Sequence, residues 1–420
     1  MAHAPLIPRR ALELVEEALT GFRVIVLNGP RQSGKSTLLS LVERTTRGDA
    51  ATLDDRGSLR AARTDPAGFL TSRQHPFLID EVQRGGDPLV LAIKADVDRH
   101  AQTPGRFVLA GSSRFLTVPA ISESLAGRVR IIDLWPLSQG ELTGSGDALI
   151  DRLFDSTSVL RSLAVPPMSR ADAAERIVLG GFPAVHALPS PRLRRAWFED
   201  YLRGIADRDL VELRKPHRTL DLGRVLQIVL TRTAQELVPA RIGSDLGITG
   251  DTFRDYLALL ETVYVHHALP SWSSGGTGRV VKRPKVHAVD SGLAAFAMNA
   301  SVDRLRHPED TTLGPLLETF VAGELARQRT WSELGARLFH YRDASQREID
   351  IVAEARDGRV VGIEVKAAVD VDESDFRHLV ALRDRLGDRF TNGVVIHLGQ
   401  RPMSFGDRLT ALPLAAVWLA

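Results

Sequence analysis

The sequence contains no cysteine among its 420 residues and only six lysines. The missing thiols exclude disulfides, thiolate zinc sites and a cysteine nucleophile, and they favour a reducing, cytoplasmic location. Long hydrophobic runs are also missing, since runs such as Leu412–Ala420 fall well short of the roughly 20 residues that a membrane helix needs. The N-terminal segment lacks a hydrophobic region after its charges. We therefore expect neither a secretory signal nor a membrane partner.

The charge of the chain is nearly balanced, because 54 basic residues face 52 acidic ones. A net charge of only +2 says nothing decisive about nucleic acid, so the local distribution of charge must be considered instead. Apolar residues make up 44% and charged residues 25%, which is ordinary for a globular protein. At roughly 150 residues per domain, the length predicts about three domains.

The first 135 residues alternate short apolar runs with helix-like segments, a pattern that predicts βαβ units and a parallel sheet buried on both faces. The predicted strands are Arg23–Leu27, Ala51–Leu53, Phe77–Ile79, Phe107–Ala110 and Val129–Leu134. The predicted helices between them are Ser36–Arg44, Leu89–Arg99 and Ile121–Ala126. Residues 136–215 then turn helical, with Ala196–Ile205 the clearest case.

A phosphate-binding loop is predicted between the first strand and the first of these helices. The sequence Gly29–Ser36 (GPRQSGKS) fits the pattern G-x-x-x-x-G-K-[ST]. Its glycines let backbone N–H groups face phosphate oxygens, and the helix N-terminus adds a positive dipole. Lys35 would contact the β- and γ-phosphates and Ser36 would bind Mg²⁺, whereas the alternative is a glycine-rich turn that binds nothing. The predicted ATP-binding residues are Gly29, Pro30, Arg31, Gln32, Ser33, Gly34, Lys35, Ser36 and Thr37.

Two acidic residues follow the strand Phe77–Ile79 at its carboxyl end, where α/β sheets bind ligands. Asp80 lies 45 residues after Lys35 and is predicted to bind Mg²⁺. Glu81 is predicted to orient or deprotonate the attacking water. Acidic residues are common at the ends of strands, so the assignment of Asp80 and Glu81 depends on their spacing from Lys35.

Residues that respond to the γ-phosphate are predicted after the strand Phe107–Ala110. A hydroxyl at Ser112 is a candidate sensor, although a polar strand end is the alternative. Arg114 and Arg128 are candidates for an arginine finger, a residue that stabilises charge on the transferred phosphoryl group.

A winged helix-turn-helix is predicted for residues 216–290 from the order of helix, helix, turn, helix, strand, basic loop and strand. The helices are Leu222–Thr231, Pro239–Leu246 and Asp251–Glu261, and Val263–Leu269 is a strand. The candidate nucleic-acid contacts are Arg254, Arg279, Lys282, Arg283 and Lys285. The alternative is a module that joins domains or mediates self-association, since Asp251 and Asp255 would repel phosphate.

Together these residues resemble the bacterial and archaeal AAA+-type ATP-binding proteins that join a P-loop domain to a C-terminal domain of unassigned function. The matching stretches are Gly29–Leu38, Leu78–Gln83, Leu109–Arg114, Ser124–Ser138, Gly180–Pro183, Trp197–Leu210 and Lys285–Leu293. The resemblance implies ATP binding and hydrolysis, a winged helix and a nuclease-like C-terminal fold, and it leaves self-association open. The expected domains are an ATPase core over 1–135, a helical connector over 136–215, the winged helix over 216–290 and an α/β domain over 291–420.

The last domain looks like the restriction-endonuclease core, in which an Asp on one strand and Glu-x-Lys on the next share a face. Here Asp350 lies on the predicted strand Ile349–Ala353, and Glu364 and Lys366 follow on the next. Asp350, Glu364 and Glu318 on the preceding helix would bind Mg²⁺, and Lys366 would position the attacking water. The alternative is a set of surface charges on an ordinary hairpin.

Two functions from different classes follow from these predictions. In the first, ATP turnover controls a metal-dependent nuclease module that binds nucleic acid. In the second, the protein is a signalling or assembly ATPase whose C-terminal half is a non-catalytic scaffold that recognises a partner. Metal-dependent DNA cleavage that is lost on changing Lys366 would separate the two.

Overall fold

The computed structural model describes residues 6–71, 73–111, 127–210, 222–273, 283–343, 345 and 347–419. The chain divides into two compact units. The first comprises Met1–Leu137 with Thr262–Tyr264, and the second comprises Ser138–Glu261 with Val265–Ala420.

A five-stranded parallel sheet forms the centre of the first unit, in the order β2-β3-β4-β1-β5. Its strands are β1 (Val24–Asn28), β2 (Ala50–Thr52), β3 (Phe77–Asp80), β4 (Phe107–Ala110) and β5 (Val129–Asp133). The helices are α1 (Arg10–Gly21), α2 (Lys35–Thr46), α3 (Arg56–Thr64), α4 (Pro66–Leu70) and α5 (Gly86–Arg99), and Val82–Gly85 is a 3-10 turn. The predicted parallel sheet is confirmed, with strand ends that differ from the prediction by at most one residue.

Helices cover both faces of this sheet at its central strands, which explains why β1, β3 and β4 are nearly continuous apolar runs. Val24 and Val26 of β1 point into one core with residues of β3, β4 and α5. Ile25 and Leu27 point into the opposite core with α1 and α2. The predicted helix Ile121–Ala126 lies outside the described residues.

The strand order fixes which loops meet at the carboxyl edge of the sheet. β4 lies between β1 and β3, so it separates the strand that leads into the P-loop from the strand that ends at Asp80. The segment that leaves β4 after Ala110 therefore starts between these two strands.

The second unit begins with short helices over the stretch in which helices are predicted. They are α6 (Gln139–Thr143), α7 (Leu149–Arg152), α8 (Thr157–Arg161), α9 (Arg170–Leu179), α10 (Pro183–His186) and α11 (Pro191–Gly204), which continues as a π-turn over Ile205–Asp209. Ser138 and Ser169 cap α6 and α9 with capping boxes.

Three helices and a small antiparallel sheet follow. The helices are α12 (Leu222–Thr231), α13 (Pro239–Leu246) and α14 (Gly250–Thr262), and the strands are β6 (Gln235–Glu236), β7 (His266–Leu269) and β8 (Lys285–Ala288). The sheet order is β6-β8-β7. α12 and α13 have the predicted ends, whereas β6 is too short to be predicted from an apolar pattern.

The C-terminal part contains a six-stranded mixed sheet in the order β13-β14-β12-β11-β10-β9. Its strands are β9 (Arg337–Arg342), β10 (Glu348–Glu354), β11 (Val360–Val365), β12 (Phe390–His397), β13 (Met403–Ser404) and β14 (Leu409–Pro413). The helices are α15 (Ser291–Ala297), α16 (Val302–Leu305), α17 (Leu313–Gln328), α18 (Arg377–Leu386) and α19 (Ala416–Leu419), with 3-10 turns over Glu373–Phe376 and Gly387–Arg389. β9, β10 and β11 are antiparallel, whereas β11, β12 and β14 are parallel.

A buried polar network ties the start of the second unit to α17. Glu324 accepts a 2.8 Å hydrogen bond from the backbone N–H of Gln139 and pairs with Arg327 at 3.2 Å. Gln328 donates to Asp147, which also accepts from Ser138 Oγ at 2.5 Å. Burial raises the pKa of Glu324 to about 8 and that of Asp147 to about 6.

Within the described residues, none of the helices is both long enough and apolar enough to cross a membrane.

Candidate functional site

The P-loop connects β1 to α2 through backbone conformations that glycine adopts readily. Gly29 has φ +152° and Gly34 has φ +98°. A Cβ on Gly29 would lie 2.2 Å from the carbonyl oxygen of Leu134, so this position tolerates no side chain. The loop thus brings its backbone close to the N-terminus of α2, where a phosphate is favoured.

Lys35 is the first residue of α2, and its ammonium faces back into the loop. Nζ donates to the carbonyl oxygens of Gly29 at 2.8 Å and Pro30 at 2.7 Å. The residue is only 6% exposed. The positive charge is therefore held beside the loop that the sequence assigns to phosphate.

Ser36 and Asp80 bring the two nucleotide motifs together. The Ser36 hydroxyl donates to Asp80 Oδ2 at 2.6 Å, and Asp80 Oδ1 accepts from the backbone N–H of Glu81 at 2.9 Å. A hydroxyl and a carboxylate side by side are the oxygen ligands that Mg²⁺ prefers. These residues fit a magnesium ion.

Glu81 begins the turn that follows β3 and has a left-handed backbone, with φ +51°. Non-glycine residues rarely adopt this conformation, and such strain is common at functional sites. Gln83 donates a side-chain hydrogen bond to Glu81 Oε2 and fixes the carboxylate. Gln83 ends the matching stretch Leu78–Gln83, but the sequence assigned it no role.

Arg9 is a second residue of this site that lies outside the nucleotide motifs. Its guanidinium donates from Nη1 to the carbonyl of Ser33 and from Nη2 to that of Trp135, both at 2.7 Å. It therefore ties the P-loop to the segment after β5. Its distance of 24 residues from Ser33 hides this contact from a local pattern.

The predicted γ-phosphate sensors are only partly covered by the structure. Ser112 and Arg114 lie outside the described residues. Arg128 forms an ion pair with Asp98 of α5 at 2.6 Å.

The second unit holds a cluster of carboxylates, here called the acid cluster, made by Glu318, Glu348, Asp350 and Glu364. Lys285 of β8 lies within it, and its Nζ is 2.9 Å from Glu318 Oε1, 2.7 Å from Glu348 Oε1 and 3.3 Å from Asp350 Oδ1. The other oxygen of Asp350 accepts from the backbone N–H of Val365 at 2.9 Å.

Glu364 lies beside Asp350, because Ile351 of β10 pairs with Ile363 of β11. Lys366 Nζ is 3.6 Å from Glu364 Oε2, and Glu364 Oε1 is buried without a hydrogen-bond partner. The structure thus brings together the four residues that the sequence predicted for this site, Glu318, Asp350, Glu364 and Lys366. It adds Glu348 and Lys285.

Burial dominates the electrostatics of the acid cluster. It raises the pKa of Glu318 to about 8 and raises the pKa of Glu364 well above its ordinary value, and the neighbouring Asp350 carboxylate acts in the same direction on both. Burial alone would lower the pKa of the Lys285 ammonium. The attraction of the three surrounding carboxylates is the stronger effect and raises this pKa above its ordinary value. Lys285 is therefore charged at neutral pH.

The prediction that Lys285 contacts nucleic-acid phosphate is corrected by these contacts. Lys285 is 2% exposed, and its ammonium is directed at three carboxylates of the same chain. The residue lies at the end of the basic stretch by sequence, but it belongs to β8, whose side chains point inwards. The periodicity of a single short strand cannot reveal which of its faces is covered.

The predicted metal site at Glu318, Asp350 and Glu364 does not fit a divalent ion in this arrangement. The ammonium of Lys285 already lies between the carboxylates of Glu318 and Asp350. A divalent cation placed beside it would be repelled by its positive charge. Across the parts of the chain that the structure describes, no group of three or more His, Asp or Glu residues is arranged to hold a metal ion.

Two of the other nucleic-acid candidates line one groove of about 460 Å³ between α14 and the small sheet. Arg254 and Arg283 lie on it with Leu257, Glu261 and His266. Arg254 is exposed and forms an ion pair with Asp251. Arg279 and Lys282 lie outside the described residues.

Comparison with protein families divides the chain into three segments. Residues 21–143 match the family model described as AAA domain. Residues 170–304 match Domain of unknown function (DUF8612), and residues 313–417 match Domain of unknown function (DUF4143).

Similar proteins are found among curated sequences and solved structures. Two proteins described as uncharacterized, from Mycobacterium bovis and Mycobacterium tuberculosis, are 28% identical over 411 residues, which is 97% of this chain and 84% of theirs. A Walker-type ATPase of Pyrococcus abyssi has a TM-score of 0.44 and 16% identity, with 70% of this chain and 96% of that one covered. The RuvB Holliday junction branch migration motor of Thermotoga maritima has a TM-score of 0.31 and 18% identity, with coverage of 63% and 90%.

The family match coincides with the loop, the strand order and the acidic strand end described above. Residues 21–143 are therefore an AAA-type ATPase domain built around a P-loop.

Proposed function

We propose that this protein is a Mg²⁺-dependent cytoplasmic ATPase whose nucleotide state controls a nucleic-acid-binding C-terminal module of restriction-endonuclease-like fold. The observation that carries the ATPase part is the 2.6 Å contact between Ser36 and Asp80 beside the buried ammonium of Lys35. It unites both nucleotide motifs at one edge of a parallel sheet, where such folds bind ligands.

Each residue of the ATPase site has a distinct role in this proposal. Lys35 neutralises charge on the β- and γ-phosphates, and the N-terminus of α2 binds phosphate oxygens through its backbone N–H groups. Ser36 and Asp80 would hold Mg²⁺, which supplies further charge neutralisation when bound. Glu81, held by Gln83, orients the attacking water and accepts its proton.

The nucleic-acid part is supported by the order of elements over 222–288. The order α12, β6, α13, α14, β7, β8 with the sheet β6-β8-β7 is that of a winged helix-turn-helix. In this assignment α14 enters the major groove with Arg254 among its exposed residues, and Arg279, Lys282 and Arg283 contact the nucleic-acid backbone. Lys285 is excluded, because it is buried in the acid cluster.

The nuclease-like part is supported by the order α17, β9, β10, β11, α18, β12. It places Glu318 on the helix, Asp350 on the second strand and Glu364 on the third, with their side chains in one cluster. We propose domains over 1–135, 136–215, 216–290 and 291–420 on this basis.

One observation favours the second candidate function, in which the C-terminal half recognises a partner without catalysis. Lys285 lies where the carboxylates converge. We therefore assign no cleavage step to the module.

The experiment is an ATPase assay with and without duplex DNA, single-stranded DNA and RNA, alongside a nuclease assay with Mg²⁺ or Mn²⁺. Mg²⁺-dependent turnover that nucleic acid stimulates supports the proposal. ATPase activity without any binding of nucleic acid would favour the partner-recognition scaffold, and a protein that neither binds nor hydrolyses ATP would contradict the proposal as a whole.

A further inference from the structure

We infer that Lys285 is the resident cation of the acid cluster and takes the position of a divalent metal ion, so that the C-terminal module works without metal and a metal site opens only when this ammonium is removed. This inference goes beyond the proposed function, since it concerns the cluster itself and depends on neither ATP turnover nor nucleic acid.

The hydrogen bonds of Lys285 are saturated by the cluster. An ammonium has three N–H donors, and three carboxylates lie around Nζ, those of Glu318, Glu348 and Asp350, at 2.9, 2.7 and 3.3 Å. The side chain is 2% exposed, so its charge is balanced by these partners rather than by water. Such an ammonium is a fixed part of the fold.

The three carboxylates come from one helix and one strand. Glu318 lies on α17, and Glu348 and Asp350 lie two residues apart on β10 and so share a face. Buried carboxylates are stable as charged groups only when they are paired or bind metal. Lys285 supplies the positive charge that a metal would otherwise have to supply.

Lys285 belongs to the small antiparallel sheet, whereas Glu348 and Asp350 belong to the mixed sheet. Lys285 and His287 are two residues apart on β8 and point to the same face, and His287 Nε2 is 3.7 Å from Glu318 Oε1. The imidazole of His287 and the ammonium of Lys285 therefore both face Glu318. β8 therefore fastens the small sheet to the mixed sheet through an ion-pair network.

One atom of the cluster marks where a metal would bind after removal of Lys285. Glu364 Oε1 is buried without a hydrogen-bond partner and lies 3.9 Å from Nδ1 of His378, and the Glu364 side chain is only 7% exposed. Its neighbour Asp350 would lose its ammonium partner in a Lys285 variant, and so would Glu318 and Glu348. The three carboxylates around the position of Nζ would then face one space beside Glu364, and this is the donor set that Mg²⁺ and Mn²⁺ prefer.

The test compares the full-length parent with Lys285→Met, which keeps all but the last atom of the side-chain length and removes its charge. Mn²⁺ binding is measured by calorimetry and by electron paramagnetic resonance without nucleotide, in an Asp80→Asn background that removes the P-loop carboxylate. We expect no Mn²⁺ at the acid cluster of the parent. We expect Lys285→Met to bind Mn²⁺ at least tenfold more tightly than the parent, and to lose this binding on a further Glu364→Gln change.

Thermal unfolding gives an independent readout if Lys285→Met folds poorly. We expect the parent Tm to be the same in EDTA and in Mn²⁺. The Tm of Lys285→Met should fall by about 5 °C or more in EDTA and recover in Mn²⁺. Lys366→Met is the matched control, because this lysine lies beside Glu364 but is 37% exposed, and it should gain no Mn²⁺ binding.

Two results would overturn the inference. The first is tight Mn²⁺ binding by the parent that Glu364→Gln abolishes, which would mean that Lys285 yields to metal. The second is a folded Lys285→Met protein that binds no Mn²⁺, or one that unfolds equally with and without Mn²⁺, because the cluster would then be a purely structural ion-pair network.

Discussion

The hydroxyl of Ser36 donates to Oδ2 of Asp80 at 2.6 Å, although 44 residues separate them in sequence. Ser36 lies on α2 and Asp80 ends β3, and β4 lies between β1 and β3 in the sheet. Their contact assembles the nucleotide site across two strands. The first predictions test this assembly.

Lys35→Ala removes the ammonium that donates to the P-loop carbonyls of Gly29 and Pro30. We expect it to weaken ATP binding at least tenfold, or about 1.4 kcal/mol, because the β- and γ-phosphates lose their ammonium partner. Equilibrium binding of a fluorescent ATP analogue measures this. Lys94→Ala on α5 is the matched control and should bind ATP as the parent does. Parental affinity of Lys35→Ala would contradict the assignment of the loop.

Glu81→Gln keeps the shape of the side chain and removes its basicity. We expect ATP to bind and persist while kcat falls about 100-fold or more, since the attacking water loses its base. Single-turnover hydrolysis with labelled ATP separates binding from chemistry. If Glu81→Gln hydrolysed ATP at the parental rate, another group would have to activate the water.

Arg9→Ala removes the two hydrogen bonds that tie the P-loop to the segment after β5. We expect KM for ATP to rise about three- to tenfold with kcat within about twofold, because Arg9 positions the loop and takes no part in the chemistry. Arg9→Lys keeps the charge but not the two-pronged geometry, so it should restore only part of the affinity. A loss confined to kcat would instead place Arg9 at the reacting phosphate.

Changing Arg279, Lys282 and Arg283 together to alanine tests the basic stretch while leaving the buried Lys285 in place. We expect weaker binding to duplex DNA and a salt slope smaller by up to about 2.7, at roughly 0.9 per lost phosphate contact. Filter binding across a salt series measures both. A control triple at the exposed positions Arg192, Arg306 and Arg401 should leave the slope unchanged. Equal slopes in both variants would move the contact surface elsewhere.

Glu324→Gln tests the buried network of the second unit through its pH dependence. Burial raises the pKa of Glu324 to about 8, so the folded state binds more protons than the unfolded state between roughly pH 4.5 and 8. The stability that this group contributes is thus present at low pH and is lost as pH rises through its folded pKa. We expect Glu324→Gln to flatten the decline of stability by up to about 1.4 kcal/mol per pH unit in this window. Urea unfolding at a series of pH values measures it, and an unchanged slope would contradict the raised pKa.

Local patterns in the sequence determined the first sheet and its nucleotide motifs. The runs of β1 and β4 are apolar throughout because helices cover both faces, and the P-loop is a contiguous stretch whose glycines have no alternative. The spans of α12 and α13 were also predictable, because each has a strong local period or clear end signals.

Tertiary structure decided which charges meet. Lys285 follows a run of basic residues and was predicted to contact phosphate, but β8 turns its side chain towards Glu318 and Asp350, 33 and 65 residues away. Arg9 contacts Ser33 and Trp135 for the same reason, since the fold alone brings distant segments together. A local pattern records the period of a strand or helix but not what packs against it. The chemistry of the acid cluster therefore depends on one residue whose role only the folded chain reveals.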